Sequence, residues 1–254
     1  MIKTNVKWAL VTGALGGIGR ALVEEYTYAG YHVIASDVSD KPAELNLGTN
    51  VHFILLNLEN IAIDEEYSSD FYNEVNKITS GVGICTLINN AAVQNLAPSR
   101  TLTRAQWVNS LNVNLTAPFF LSQLFIDDLE KNFGSIVNIS SIHATQTKKN
   151  FIAYATSKAA LSSMTRNMVL DLGNKIRINA IEPAAIATNM LKEGFKGKED
   201  KFRQLEAYHP IGRVGTPSEI AKLAVFLSSN EAAFVQGACI SASGGISGCL
   251  SDPD

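Results

Sequence analysis

Cysteine is scarce in this chain. Cys85, Cys239 and Cys249 are spread over 254 residues and form no paired framework. A disulfide-stapled scaffold is therefore excluded, and a reducing compartment is expected. Cys85 and Cys239 read as small strand residues. Histidine is almost as sparse: His32, His52, His143 and His209 have no metal-ligand spacing among themselves or with cysteine, so no metal is expected. Long apolar runs are missing too. No stretch reaches the roughly 18 apolar residues of a membrane span. The opening MIKTNVKWALVTG lacks the apolar core and small-residue cleavage site of a secretory leader. The expected location is cytoplasmic. A charge excess is also missing: the net charge is −3, which favours neither nucleic acid nor an anionic membrane surface as a partner. Repeats, low-complexity tracts and obvious linkers are absent.

What the chain does have is apolar content, 46%, enough to bury a large core in a single α/β domain. Short apolar runs read as buried strands at 8–12, 31–36, 51–56, 85–89, 135–140, 176–182 and 238–243. Helical patterns lie between them near 18–29, 64–79, 103–130, 154–172 and 216–229. Continuous apolar strands alternating with helices predict a parallel sheet covered on both faces. Pro118 falls inside the pattern at 103–130 and should bend that helix. The stretch 186–215 is long, is charged in its middle and sits between a strand and a helix, so it reads as a lid on a single domain of residues 1–254.

The first strand runs into TGALGGIGRAL. Gly13 allows a tight exit from the strand, Gly17 permits close approach of a pyrophosphate, and Gly19 lets the following helix pack on the sheet. The free N–H groups at the helix start then face the phosphates. Asp37 ends the second strand, twenty positions after Gly17. An acid there accepts both hydroxyls of an adenosine ribose and repels a 2′-phosphate. Val38 follows it and Gly16 precedes Gly17, so neither flank supplies the cation that NADP would want. The local chemistry favours NAD, with NADP the less favoured cofactor.

Further along stand NNAA at 89–92, ISS at 139–141 and YATSK at 154–158. Together with the glycine turn, in this order and spacing, they resemble the short-chain dehydrogenase/reductase family, in its short single-domain branch, over nearly the whole chain. The resemblance implies a Rossmann-type, doubly wound parallel sheet of about seven strands with helices on both faces. It implies a catalytic set of Asn114, Ser141, Tyr154 and Lys158; Ser141 stands thirteen residues before Tyr154, the family's usual offset. Asn114 is implied to order a water that relays protons from Lys158. For the cofactor it implies Gly13, Leu15, Gly17, Ile18, Gly19, Asp37, Asn57, Leu58, Asn90, Ala91, Tyr154, Lys158, Pro183, Ile186 and Thr188. Asn57 takes the place of an acid that contacts adenine. Ile186 and Thr188 match positions holding the nicotinamide carboxamide.

Two departures stand out. Pro183 is followed by Ala184 where the family has glycine, and Ser243 replaces the acid of a DGG turn. The first should alter the nicotinamide wall slightly, and the second a local turn or subunit contact.

The chemistry expected of YATSK follows from spacing. Residues four apart share a helical face, so Lys158 lies beside the Tyr154 hydroxyl. A phenol with pKa near 10 is too weak a base at neutral pH. A neighbouring ammonium, with the positive ring of the oxidised cofactor, should lower it. Tyr154 then exchanges a proton with an alcohol or carbonyl while hydride moves to or from nicotinamide, and Ser141 holds the substrate oxygen. Gln94, Ser141, His143, Tyr154 and Glu182 are candidate substrate residues; their polarity points to a sugar or polyol.

The leading reading is an NAD-dependent alcohol dehydrogenase or carbonyl reductase. An NADPH-dependent 3-oxoacyl reductase and a non-catalytic NAD-binding regulator are the alternatives. The resemblance also implies a homo-oligomer, a dimer or tetramer paired through the helices carrying Asn114 and Tyr154. Light scattering on the purified protein should therefore give a mass of two or four chains, and a clean monomer would overturn this.

Overall fold

The computed structural model describes residues 6–42, 48–173 and 175–250. Residues 1–5 of the opening stretch discussed above lie outside them. Seven strands form one parallel sheet: β1 (Trp8–Thr12), β2 (His32–Asp37), β3 (Val51–Leu55), β4 (Thr86–Asn89), β5 (Ser135–Ile139), β6 (Arg177–Pro183) and β7 (Cys239–Ala242). Their order is β3-β2-β1-β4-β5-β6-β7, and every pairing is parallel. Each strand expected from the sequence is present within a residue or two. This is the Rossmann-type, doubly wound architecture.

The apolar runs are continuous because both faces of the sheet are covered. Trp8 and Leu10 of β1 pack in one core layer, and Ala9 and Val11 in the other. The first layer is closed by α3 (Glu65–Ile78), α5 (Ala117–Leu124) and α7 (Ile152–Leu172), through Phe71, Val75, Leu121 and Met168. The second is closed by α1 (Gly17–Tyr28) and α10 (Pro217–Ser228), through Leu22, Tyr26, Ile220 and Leu227. From β1 the chain builds outward to β2 and β3, then returns to place β4 on the other side of β1. That reversal opens a crevice at the carboxyl ends of β1 and β4, where such sheets bind ligands.

The segment 103–130 is not the single bent helix its pattern predicted. It divides into α4 (Arg104–Leu111), a π-helical turn (Asn112–Thr116), α5 and α6 (Ile126–Lys131). Pro118 has no N–H to return to the carbonyl of Asn114, so the regular ladder fails there, and the wider turn accommodates the fault. A short helix, α2 (Leu58–Ile63), precedes α3 and was not expected. The stretch 186–215 carries two helices, α8 (Asn189–Gly194) and α9 (Glu199–Ala207), joined by an edge-on contact of Phe195 and Phe202 at 5.6 Å. Among the described residues no helix is long and apolar enough to cross a membrane.

Gly19 fixes how closely α1 meets β1. A Cβ there would lie 1.9 Å from the Gly13 carbonyl oxygen, a backbone atom with nowhere to move. Gly19→Ala should lower stability by about 1–3 kcal/mol through overpacking and weaken dinucleotide binding, as read by urea denaturation and NADH titration.

Candidate active site

The amino end of α1 is left open. Gly16 caps it without a side-chain hydrogen bond, and no acid stands in its first turn. Gly16 and Gly17 are exposed while Gly19 is buried. Unspent N–H groups and the positive end of the helix dipole thus meet the crevice. A Cβ on Gly17 would come within 2.7 Å of the Thr188 methyl, so glycine keeps open a narrow gap between the turn and Thr188. Beside it, Asp37 accepts from Leu15 N–H at 3.0 Å and from Ser39 N–H at 3.2 Å, one on each oxygen. Two lone pairs remain for ribose hydroxyls. Ile18 is half-buried behind the turn.

Thr12 was not singled out in the sequence, yet it ties the crevice walls together. Its hydroxyl donates to the Ile88 carbonyl at 3.3 Å and accepts from the N–H groups of Asn90 and Ala91 at 3.0 and 3.1 Å. The Asn90 amide donates to the carbonyls of Thr12 and Gly13. A threonine closing a buried strand directly before Gly13 was the available signal. Asn57 uses its amide oxygen to cap α2, accepting from Glu59 N–H at 2.9 Å, and Leu58 is buried in the core. A second lone pair on the Asn57 oxygen is what stays open to adenine. The uncapped helix, the side-chain-free cradle and the acid on β2 suit the diphosphate and ribose of an adenine dinucleotide.

The catalytic candidates converge at the carboxyl end of β5. Lys158 is 2% exposed, and its ammonium donates to the Ile139 carbonyl at 2.7 Å. It lies 5.8 Å from the centre of the Tyr154 ring. Burial pushes Lys158 down to about 7. Tyr154 departs from expectation. Desolvation of the phenolate holds its pKa above the ordinary value, with only a hydrogen bond to Ser141 pulling the other way. The chain alone therefore raises the phenol, because desolvation of the phenolate outweighs the one favourable contact.

Ser141, 6% exposed, accepts from His143 N–H at 3.1 Å and keeps its proton to donate. Asn114 is fully buried in the π turn. Its amide accepts from Val93 N–H at 2.8 Å and donates to the Val93 carbonyl and the Ser157 hydroxyl. The side chain thus clamps the irregular segment after β4 to α7, and its backbone carbonyl is the one that Pro118 cannot serve. Gln94 is exposed on the same segment.

His143 stacks on Phe151 at 4.4 Å and meets the Tyr154 ring edge-on at 5.8 Å. Burial, helped by Lys148, pushes it down to about 4, so it is neutral at working pH. Glu182 does not line the cleft. The strand's alternation turns it towards α7, where it is 7% exposed and accepts from Ser162 at 2.7 Å. Ser162 in turn touches Ser140, which donates to the Lys158 carbonyl at 3.0 Å. The carboxylate supports the lysine's helical turn from below.

Pro183 ends β6, and Ala184 keeps an ordinary backbone, its N–H donating to the Ala242 carbonyl at 3.2 Å. Alanine is accommodated without strain. Ile186 bridges to Gly215 at the base of the lid, and Thr188 caps α8 by accepting from Leu191 N–H, leaving its own proton free. Ser243 shares a hydroxyl cluster with Ser241 and Ser247, which is a local turn device. Among the described residues no group of histidine, cysteine, aspartate and glutamate could hold a metal ion.

A Rossmann-type sheet with this crevice and a Ser–Tyr–Lys cluster at its edge defines a nicotinamide-dinucleotide oxidoreductase. The family model described as enoyl-(acyl carrier protein) reductase matches residues 13–247. Protein FixR of Bradyrhizobium diazoefficiens is 35% identical, over 94% of this chain and 86% of that protein. The acetoacetyl-CoA reductase of Cupriavidus necator is 32% identical, over 94% and 97%. The aldohexose dehydrogenase of Thermoplasma acidophilum superposes with a TM-score of 0.88 at 30% identity, covering 98% of each chain. The chain belongs to the short-chain dehydrogenase/reductase family.

The depressed Lys158 pKa sets a pH dependence. The folded state releases this proton near pH 7 and the unfolded chain only near 10.4. Between the two, the unfolded state binds more protons, so stability rises with pH; below about 7 the burial penalty is fully present. Relative to Lys158→Met, the protein should gain about 2 kcal/mol between pH 7 and 9, measured by urea denaturation at each pH. A pH-independent difference would place the lysine's proton elsewhere.

Proposed function

We propose that this chain is an NAD-preferring dehydrogenase/reductase that exchanges a hydride between nicotinamide and a secondary alcohol or carbonyl on a hydroxylated small molecule of the sugar or polyol type. The observation that carries the reading is the buried Lys158 ammonium, held by the Ile139 carbonyl at 2.7 Å and lying 5.8 Å from the centre of the Tyr154 ring, at the end of β5 where Ser141 follows. A regulator that merely held dinucleotide would have no use for a phenol and an ammonium so placed.

Bound nicotinamide supplies the hydride acceptor or donor; the chain's residues do the rest. Ser141 donates to the substrate oxygen and, with Tyr154, fixes its position. Tyr154 takes the alcohol proton in oxidation and returns it in reduction. Its raised pKa needs added positive charge beside it to reach phenolate near neutral pH, and Lys158 with an oxidised nicotinamide would provide that. Lys158 would also hold the nicotinamide ribose, and the Asn114 carbonyl would seat the water that carries its proton to solvent. Gly13, Gly17, Gly19 and Asp37 would bind the pyrophosphate and adenosine ribose, and Ile186 and Thr188 the carboxamide. Helices α8 and α9 would close as a lid. The working form would be a cytoplasmic homo-oligomer.

A second reading, a 3-oxoacyl reductase using NADPH, is supported by the similarity to the acetoacetyl-CoA reductase. Asp37 and its uncharged flank argue for NAD.

Tyr154→Phe should lower kcat on any alcohol substrate by about 10²–10⁴ while NADH still binds. A panel of sugars, polyols, hydroxy acids and steroid alcohols with NAD, following NADH formation, checks this; turnover surviving in the variant would remove Tyr154 from its role. NADH should bind at least about tenfold more tightly than NADPH, a gap of about 1.4 kcal/mol, and Asp37→Ser should narrow it. Tighter NADPH binding in fluorescence titration would favour the second reading.

A further inference from the structure

Beside the proposed catalytic site stands a cation with no ion-pair partner among the described residues. Lys148 lies in the exposed loop between Ser141 and α7. Its ammonium sits over the Phe151 ring, 4.6 Å from the centre. Phe151 stacks on His143 with planes 21° apart. Both rings meet Tyr154 edge-on, at 6.2 and 5.8 Å. The four side chains form one continuous pile, with the ammonium at one end and the phenol at the other. The attraction of an ammonium to an aromatic face, about 0.5–1 kcal/mol at exposed sites, biases this one toward the site.

Among the described residues no acid pairs with it. The ion pairs among the described residues are formed by other side chains, and Lys148 takes part in none. No acid is among the groups that act on His143, Tyr154 or Lys158. Glu182, the acid closest in sequence to the cleft wall, is turned away and engaged with Ser162. Asp37 stands at the end of β2, bound to the glycine turn. Neutral His143 adds a hydrogen-bonding ring but no charge. A cleft with one sign of charge at its rim concentrates ligands of the other sign.

We propose that Lys148 is a specificity-determining residue that binds an anionic group, a carboxylate or a phosphate, on the alcohol substrate, so that the substrate is a polyhydroxylated acid or sugar phosphate and not a neutral polyol. The inference rests on the oxidoreductase reading above and narrows its substrate class.

The test compares three six-carbon probes: an aldonate, a hexitol 6-phosphate and the neutral hexitol. At least one anion should exceed the neutral hexitol in kcat/KM by roughly fivefold, the upper range for an exposed ion pair. Lys148→Met should remove that ratio, chiefly through KM; Lys148→Arg should restore it, and added salt should weaken it. Whichever anion leads identifies the group bound. Equal kcat/KM for charged and neutral probes, or an unchanged ratio in Lys148→Met, would overturn the proposal. Calorimetry with Tyr154→Phe protein saturated with NAD separates the two readings. Anion binding that needs Lys148, without turnover of any probe by the unmutated protein, keeps the assignment and removes the oxidoreductase reading. Turnover of the neutral hexitol alone does the reverse. No turnover and no anion binding removes both.

Discussion

The structure turns on one buried ammonium. Lys158 is shut off from water and held by a single strand-end carbonyl, that of Ile139. That contact ties α7 to β5 at the point where Ser141 leaves the strand. Three supports keep the seat in place. Asn114 and Ser157 join the π turn to α7. Ser140, Ser162 and Glu182 brace the turn of helix that bears the lysine. The continuous apolar strands below supply the burial. Removing an ammonium from water is unfavourable, and the fold accepts that penalty at the proposed catalytic centre.

The same burial explains why the protein part of the site is incomplete as an acid–base device. Desolvation drives Tyr154 up and Lys158 down, so both are shifted toward their neutral forms. A charged ring bound in the crevice would tilt that balance toward phenolate. In the proposed mechanism cofactor and chemistry would be coupled, because the group that takes the hydride would also adjust the group that takes the proton.

The crevice shows a division of labour along the sheet. At β1 and β2 the work is done by backbone and by absent side chains: an uncapped helix, a glycine cradle and one carboxylate. At β5 and α7 it is done by hydroxyls, an ammonium and stacked rings. Thr12, Asn90 and Asn114 hold the two regions in register through hydrogen bonds to strand-end backbone. The 186–215 segment meets the first region at Thr188 and the sheet's end at Gly244, whose carbonyl accepts from Ile211.

The sequence alone determined what local rules govern. Seven strands were legible because both faces are buried, and runs such as WALVT are then apolar without alternation. The glycine turn, Asp37 and the Tyr154–Lys158 pair were legible because each is a short-range pattern with a fixed spacing. Only the tertiary structure decided the rest. It broke the 103–130 helix, because one proline's missing N–H is absorbed by a π turn, a choice that composition does not reveal. It turned Glu182 under the lysine, because strand direction and neighbours, not polarity, choose a face. It raised Tyr154, because desolvation depends on how deeply a residue lies, and a spacing of four says nothing of depth. And it gathered Lys148, Phe151 and His143 beside Tyr154, because ring stacking across a loop has no period for a sequence to display.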